Sequence, residues 1–289
     1  MKLVVESGAT KSDWTLIEGD ETITSFRTEG LNFSSGDGEF IIHTLELGTL
    51  KARDAADSQP VGAVYFYAAG LFPSEDADSP YMILYSCLVS AFPGASIHLE
   101  NDLLAAARAV CGKKPGIVAI LGTGSNTCVF DGSDICRKVS SGGFILGDEG
   151  SASALGRAFV SDYIKGLVPD CVALAFAEKY DMGYPALVNR IYHGNSPAAF
   201  LGAFAPDILS FYDTNNYMRH LVDENFRSFF SRCLMPCIAS AGELQTIGVV
   251  GGFGFACRNI IDSVSKEYGV TVCKYLASPS EALIQYHKA

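Results

Sequence analysis

Three short turns rich in small residues follow apolar stretches and hold most of the candidate chemistry in this sequence. They are SGATK at residues 7–11, GTGS at residues 122–125 and GGFG at residues 251–254. Glycine lets backbone N–H groups approach a ligand closely, and successive N–H groups form concavities that bind anions. The first two turns add hydroxyl groups, and Lys11 adds a cation. Together the turns predict a polyphosphate site, although any one of them alone is also typical of a plain hairpin.

Asp102 is the first candidate for acid–base chemistry. It follows Asn101 in HLENDLLAAARA, where a predicted strand stops and an alanine-rich helix starts. One interpretation is a helix cap, because an acid at this point complements the helix dipole. The other is catalytic, because the same dipole keeps the carboxylate ionised. An ionised carboxylate can take a proton from a substrate hydroxyl during phosphoryl transfer.

A second acidic position lies in SSGGFILGDEGSAS, residues 140–153. Asp148 and Glu149 are found there among four glycines, immediately before a predicted helix. Helix capping is again one interpretation. A single residue is enough to cap a helix, however, and two acids on a glycine-rich loop also suit hydrogen bonding to a polyhydroxylated ligand.

The sequence lacks the motifs of several common functional classes. The P-loop pattern GxxxxGK[ST] is absent, and GGFGFAC matches the dinucleotide pattern only in part. There is no GxSxG and no HExxH, so neither a hydrolase triad nor a zinc protease is indicated. The net charge of −11 argues against a nucleic-acid partner, because affinity for phosphate backbones comes mainly from lysine and arginine.

The cysteines and the N-terminus favour a cytoplasmic protein. Nine cysteines occur at irregular spacings without a CxxC pair, which is typical of reduced thiols. The apolar run in MKLVVE is too short for a signal peptide, and no segment approaches the length of a membrane span. We therefore expect no membrane partner.

The elements that must position these residues form a repeat. Residues 3–30 and 116–143 each contain an apolar strand, a small-residue turn, a second strand, a tight turn and a third strand that ends at glycine. Two such segments separated by helical sequence predict a duplicated α/β domain, with chance similarity as the alternative. The remaining pattern predicts strands at 60–70, 95–100, 246–252 and 270–276, and helices at 80–92, 103–112, 151–166, 256–269 and 279–288, with residues 170–240 mainly helical.

The longer motifs resemble a known family. VVESGATKSDW, LENDLLAAARAV, AILGTGSNTCVFDG and GGFILGDEGSASALGR look like the N-acetylglucosamine kinase group of the BadF/BadG/BcrA/BcrD ATPase family, and GVTVCKYLASPSEALIQYH continues the likeness to the end of the chain. The resemblance implies an α/β protein with the actin-like ATPase fold, in which two ribonuclease-H-like domains flank a nucleotide cleft. The predicted domains are residues 1–108 with 278–289, and residues 109–277.

The same resemblance implies a role for individual residues. Asp102 matches the catalytic base that also contacts the sugar, and Glu6 matches the acid that helps to hold Mg²⁺, where relatives most often have aspartate. The positions that match nucleotide contacts are Thr10, Lys11, Gly122, Thr123, Gly124, Gly251 and Gly252. The positions that match sugar contacts are Asn32, Ser125, Asn126, Ser141, Gly142, Gly143 and Asp148.

These observations predict an ATP-dependent sugar kinase that uses Mg²⁺ and converts N-acetylglucosamine to its 6-phosphate. A kinase for glucosamine or another amino sugar is the alternative within enzymes. From another class, a non-catalytic sugar or nucleotide sensor, or an ATPase that activates a partner enzyme, stays open. The expected partner is a small sugar, and the sequence leaves a homodimer open.

Overall fold

The computed structural model describes residues 1–8, 11–31, 33, 38–241 and 246–288. The chain divides into two compact units. Unit 1 contains Met1–Lys113 and Pro279–Ala289, and unit 2 contains Lys114–Ser278. Each unit has one mixed sheet of five strands with helices around it.

The regular elements of the described residues are as follows. The strands are β1 (Lys2–Ser7), β2 (Lys11–Glu18), β3 (Glu21–Glu29), β4 (Ala63–Ala68), β5 (Ser96–Asn101), β6 (Gly116–Leu121), β7 (Ser125–Phe130), β8 (Ile135–Val139), β9 (Ile247–Val250) and β10 (Lys274–Leu276). The helices are α1 (Gly38–Ala55), α2 (Pro80–Ala91), α3 (Asp102–Cys111), α4 (Gly143–Leu146), α5 (Ala152–Tyr163), α6 (Asp170–Lys179), α7 (Tyr184–Tyr192), α8 (Pro197–Gly202), α9 (Ala205–Ser210), α10 (Asn216–Phe229), α11 (Met235–Ala241), α12 (Gly252–Ala256), α13 (Arg258–Ser265) and α14 (Ser280–Lys288). A π-helical turn, Phe230–Leu234, joins α10 to α11, and a 3-10 turn, Lys266–Tyr268, follows α13.

The two sheets have the same topology. Their strand orders are β3-β2-β1-β4-β5 and β8-β7-β6-β9-β10. In each, the central strand pairs antiparallel with the strand that follows it and parallel with a strand reached through a long connection. The order of strands confirms the duplication predicted from the sequence repeat, and the fold class is confirmed as an α/β actin-like fold with two domains.

One face of the first sheet packs on α1 and α2. Side chains alternate between the two faces of a strand, so Leu3, Val5 and Trp14 enter one core together. Trp14 is fully buried, and a Cβ atom on Gly48 of α1 would lie only 2.2 Å from its ring. The absence of a side chain at Gly48 therefore lets α1 approach the sheet closely at this point.

The opposite face of the first sheet is covered by α3 and α14. Val4, Ile17 and Tyr67 form a small core there with Ala105 of α3 and Leu283 of α14. The last helix of the described chain thus completes the unit that begins with the first strand.

A buried polar network fixes α14 to this face. The hydroxyl of Tyr67 lies 2.8 Å from Nε2 of His287 and accepts a hydrogen bond from Nη1 of Arg108, 2.6 Å away. Nζ of Lys2 donates to the backbone carbonyl of His287 at 2.7 Å, and Tyr65 stacks on the imidazole ring. Burial, followed by the charges of Arg108 and Lys2, lowers the pKa of His287 to about 4. The imidazole is therefore neutral at pH 7, and its Nε2 shares a hydrogen bond with the Tyr67 hydroxyl.

The second unit has a larger core that is rich in aromatic side chains. Phe159 of α5 packs against Phe176 of α6, with ring centroids 4.3 Å apart, and Phe204 joins both rings. Phe226 and Phe229 of α10 are also buried in this core.

Across the parts of the chain that the structure describes, no helix is both long and apolar enough to cross a membrane.

Most predicted elements are confirmed, with three differences. The pattern did not predict α1, which spans Gly38–Ala55. The predicted strand 270–276 is correct only at its end, because β10 covers Lys274–Leu276. The predicted helix 256–269 begins two residues later, as α13 at Arg258, and its last part is the 3-10 turn Lys266–Tyr268.

Candidate functional site

The first candidate cluster lies where β1 ends. Glu6 is on the face of the sheet that also carries Val4, and it is the direct partner of Asp13 across the antiparallel pair β1–β2. Oγ of Ser280, the first residue of α14, is 3.2 Å from Oε2 of Glu6 and 3.1 Å from Oδ2 of Asp13. One hydroxyl therefore bridges two carboxyl groups, and we call Glu6 and Asp13 the carboxylate pair.

Two cations contact Asp13, whereas its partner Glu6 is half-buried. Nε of Arg27 donates to Oδ1 of Asp13 at 2.6 Å, and Nζ of Lys11 is 3.2 Å from Oδ2. These contacts outweigh the effect of burial and lower the pKa of Asp13. For Glu6, burial and then the charge of Asp13 raise the pKa to about 7, although Ser280 and Lys11 act in the opposite direction.

Asn101 and Asp102 have different positions at the start of α3. Asn101 is the N-cap, and its Oδ1 accepts a hydrogen bond from the backbone N–H of Leu104 at 2.9 Å. Asp102 follows as the first residue of the helix, so it is not the N-cap, although its charge in the first turn still complements the helix dipole. Its charge contributes to the raised pKa of Glu6, which puts Asp102 within electrostatic range of the carboxylate pair.

The hydroxyls of Ser7 and Ser12, on either side of the first turn, make hydrogen bonds inside the protein. Ser7 and Ser12 are fully buried, with their Oγ atoms 2.7 Å apart. Ser7 Oγ also accepts from the backbone N–H of Leu31 at 3.0 Å. These hydroxyls hold the turn together, whereas the Lys11 side chain is 41% exposed and reaches solvent. Thr10 and Asn32 lie outside the described residues.

In unit 2, the second turn is tied to the start of α5. The backbone N–H of Gly122 donates to the carbonyl of Gly124 at 2.9 Å. The carbonyls of Gly122 and Thr123 accept from the N–H groups of Ala152 and Ser153, each at 3.0 Å. The carbonyls of the turn are thereby directed toward α5.

Asp148 joins this turn to a glycine-rich loop, residues 141–151, which we call the Asp148 loop. The Asp148 side chain is 7% exposed, and its Oδ1 accepts from the backbone N–H of Ser125 at 3.1 Å. A Cβ atom on Gly124 would lie 3.0 Å from Oδ2. Burial raises the pKa of Asp148, although the Ser125 hydrogen bond and the charge of Arg157 act against it.

Asp148 does not cap α5. That role belongs to Ser151, whose Oγ accepts from the backbone N–H of Ala154 at 3.1 Å. Asp148 instead has a left-handed backbone, with φ of +58°, which is uncommon for a residue other than glycine. The capping interpretation is therefore wrong for Asp148, and its carboxylate is directed at the second turn.

The other predicted sugar-contact residues of unit 2 lie close in the same region. The carbonyl of Ser141 accepts from the backbone N–H of Asp148 at 2.8 Å, which closes the Asp148 loop. Gly142 and Gly143 both have positive φ angles inside this loop. Asn126 is next to Ser125 on β7, and its Oδ1 accepts from the backbone N–H of Thr127 at 3.1 Å.

The third turn packs directly on the second. Gly251 has φ of +121°, and a Cβ atom at this position would lie 2.5 Å from the carbonyl oxygen of Leu121 and 3.3 Å from the nitrogen of Gly122. Gly252 begins α12. The ends of the neighbouring parallel strands β6 and β9 thus bring together the second turn, the third turn and the Asp148 loop, which is where ligands bind in many open α/β sheets.

Sequence reasoning missed two members of the first cluster. Asp13 could have been found, because a tight hairpin between β1 and β2 pairs it with Glu6. Ser280 had no local signal, since it is 274 residues from Glu6 along the chain. No group of three or more His, Cys, Asp or Glu residues suited to a metal ion occurs in the described ranges.

A solved structure from Porphyromonas gingivalis, the "Putative N-acetylglucosamine Kinase", matches the whole chain. The two are 36% identical, and the match covers 100% of this chain and 99% of that one, with a TM-score of 0.89. This chain belongs to the same sugar-kinase family. The prediction of an ATP-dependent sugar kinase is confirmed at the level of enzyme class.

More distant members of the fold extend the comparison. The "Putative N-acetylglucosamine Kinase" of Chromobacterium violaceum is 17% identical over 99% of this chain and 98% of its own, with a TM-score of 0.77. A ROK-family glucokinase of Streptomyces griseus, solved with glucose and AMPPNP, is 17% identical over 98% and 97%, with a TM-score of 0.58. At these identities the likeness supports the fold alone. No protein-family model matches the chain, and no curated protein does.

Proposed function

We propose that this family member transfers the γ-phosphoryl group of ATP to the 6-hydroxyl of N-acetylglucosamine. The observation that carries the proposal is the match, along the full length of both chains, to the Porphyromonas protein. The glucokinase of the same fold binds a sugar and an ATP analogue, which supports the same pair of ligand classes here.

In unit 1, Asp102 is the proposed general base. Asn101 already caps α3, so the Asp102 carboxylate is not needed for the cap. At the start of a helix the dipole favours the ionised form, which is the form that takes a proton from the sugar hydroxyl. Lys11 and Thr10 are the proposed phosphate contacts, and Asn32 is a proposed sugar contact.

In unit 2, we assign the second and third turns to the nucleotide and the Asp148 loop to the sugar. Gly122, Thr123 and Gly124 offer a turn with little side-chain bulk near the start of α5, and Gly251 and Gly252 lie beside it. The proposed sugar contacts are Ser125, Asn126, Ser141, Gly142, Gly143 and Asp148. Their support is the hydrogen bond that fixes the Asp148 carboxylate against the Ser125 backbone.

Mg²⁺ fits the donors that unit 1 offers. It prefers oxygen ligands and is usually held by one or two carboxylates together with substrate phosphates. Glu6 is the proposed protein ligand, with Asp13 beside it. When bound, the ion would supply positive charge that stabilises the phosphates. Lys11, the last residue of the first turn, would add its own positive charge to that of the ion.

Four further assignments accompany this function. We propose membership of the BadF/BadG/BcrA/BcrD ATPase family, domains of residues 1–108 with 278–289 and 109–277, a cytoplasmic location, and a homodimer as one assembly. The domain bounds are supported by the compact units, which change at Lys113 and Pro279.

A substrate panel tests the function. N-acetylglucosamine, N-acetylmannosamine, glucosamine and glucose would each be supplied with ATP and Mg²⁺, and ADP release would be measured by a coupled assay. We expect the highest kcat/KM with N-acetylglucosamine. A higher value with glucosamine would identify the alternative amino-sugar kinase. Sugar binding by calorimetry without ADP release from any sugar would identify a sensor and would contradict the kinase proposal.

A further inference from the structure

The helix α10 carries none of the proposed site residues, but one of its side chains binds the backbone of the Asp148 loop. Oδ1 of Asn225, on α10, accepts from the backbone N–H of Gly150 at 3.2 Å. Nδ2 of the same side chain donates to the backbone carbonyl of Ser151 at 3.1 Å. One carboxamide therefore binds the N–H of Gly150 and the carbonyl of the next residue, Ser151, which are more than 70 residues away in sequence.

Two further contacts come from the same helix and the turn after it. A Cβ atom on Gly150 would lie 2.6 Å from Cβ of Phe229, which is one helical turn after Asn225 and only 1% exposed. In the π-helical turn that follows, Arg232 is 3.4 Å from Oε1 of Glu149, and Sγ of Cys233 is 3.8 Å from Oε2. Three consecutive residues of the loop, from Glu149 to Ser151, are thus held by one helical segment.

The contacts that hold Glu149, Gly150 and Ser151 also fix Asp148, the residue before them. Asp148 has a left-handed backbone, which is uncommon for a residue with a side chain, and such a conformation persists only where the surroundings hold it. On one side the Ser141 carbonyl accepts from the Asp148 N–H, and on the other the Ser151 N–H donates to the Asp148 carbonyl at 3.0 Å. Asn225 holds the next part of the loop, through the N–H of Gly150 and the carbonyl of Ser151.

We infer that Asn225 is a positioning residue for sugar binding: its carboxamide sets the direction of the Asp148 carboxylate. The inference rests on the proposed function, because it takes the Asp148 loop as the sugar contact. The requirement is specific to a carboxamide, which offers one acceptor and two donors on one planar group. An aspartate would keep the acceptor for Gly150 but would place negative charge against the Ser151 carbonyl.

The test compares Asn225→Ala, Asn225→Asp and a control, His220→Ala, which changes an exposed residue of the same helix. Steady-state kinetics would be measured with N-acetylglucosamine and ATP varied separately, and the melting temperature would be recorded for each protein. We expect both Asn225 variants to raise KM for the sugar about tenfold, equivalent to about 1.4 kcal/mol, while KM for ATP stays within twofold. His220→Ala should leave both constants unchanged.

If Asn225 only stabilised the fold, its substitution would not raise KM for the sugar while leaving KM for ATP unchanged. If KM for sugar and ATP rose together, or if neither changed, the inference would be overturned. Should Asn225→Ala fail to fold, Asn225→Asp has a side chain of nearly the same shape and gives the same readout. If the wild-type protein phosphorylates no sugar, the proposed function fails separately. The Asn225 inference is then tested by calorimetric binding of N-acetylglucosamine, with the same tenfold loss expected and equal binding contradicting it.

Discussion

Glu6 and Asp13 are direct partners on neighbouring antiparallel strands, and the hydroxyl of Ser280 lies within 3.2 Å of both carboxyl groups. A hydroxyl has one proton to donate, so it cannot satisfy two full negative charges at once. Arg27 and Lys11 compensate the charge of Asp13. The consequence is asymmetric: the pKa of Asp13 falls below its usual value, and that of Glu6 rises to about 7.

Glu6→Gln should change how the stability of unit 1 depends on pH. Between pH 4.5 and about 7, folded Glu6 keeps a proton that the unfolded chain has released. The free energy of unfolding therefore falls as pH rises through this window, by up to about 3 kcal/mol. Glutamine cannot titrate, so the variant should be the more stable protein above pH 7. Urea unfolding without Mg²⁺, followed by the fluorescence of Trp14, measures this, because Trp14 is the single tryptophan and lies in unit 1.

The control for that experiment is Glu18→Gln, at the exposed end of β2. It should keep the pH dependence of the wild-type protein. Equal slopes for Glu6→Gln and the wild type would show that the pKa of Glu6 is not raised in the folded protein.

Asp102→Asn should remove catalysis and leave the fold intact. A general base contributes about 10²- to 10⁴-fold to a rate, so we expect kcat to fall by at least about 100-fold. Calorimetric binding of N-acetylglucosamine should persist, and the melting temperature should stay close to that of the wild type. Asn101→Ala is the matched comparison: it removes the α3 cap and should cost about 1 kcal/mol of stability. Wild-type turnover by Asp102→Asn would refute the assignment of the base.

His287→Gln should make unit 1 less sensitive to acid. The pKa of His287 is lowered to about 4, against 6.5 in an unfolded chain. Below pH 6.5 the unfolded chain binds a proton that the folded chain does not, so stability is lost as pH falls toward 4, by up to about 3 kcal/mol. Trp14 fluorescence in urea should show this loss in the wild type and a smaller one in the variant.

The comparison for His287 is His193→Gln, which changes an exposed histidine of unit 2. That variant should lose stability in acid as the wild type does. A His287→Gln protein with the wild-type acid profile would contradict a buried neutral imidazole beside Arg108.

Gly150→Ala should destabilise unit 2 through two separate effects. Its φ of +79° disfavours any side chain, and a methyl group would overlap Phe229. Gly166 has a similar φ of +68° with nothing within 4 Å, so Gly166→Ala measures the backbone effect alone, about 1 kcal/mol. Overpacking adds typically 1–3 kcal/mol at Gly150. Thermal unfolding by circular dichroism should rank the two variants in that order, and equal losses would mean that Phe229 moves aside.

The sequence predicts local elements well and distant contacts poorly. The hairpin that contains Glu6 and the helix that starts near Asp102 follow from alternation, small-residue turns and alanine content. By contrast, Ser280 and Asn225 reach their partners only through the tertiary fold, and no local pattern marks them. α1 was missed because its apolar face is weakly periodic and includes Gly48, which serves the packing of Trp14.

Unit 1 is discontinuous in sequence. The chain leaves it at Lys113 and returns at Pro279, after all of unit 2. During translation, unit 2 is therefore fully synthesised before the ribosome releases Ser280 and His287. Until then Glu6 and Asp13 lack their bridging hydroxyl, and the face of the sheet around Val4 lacks its covering helix. The carboxylate pair therefore acquires its bridging hydroxyl only after α14 has emerged from the ribosome.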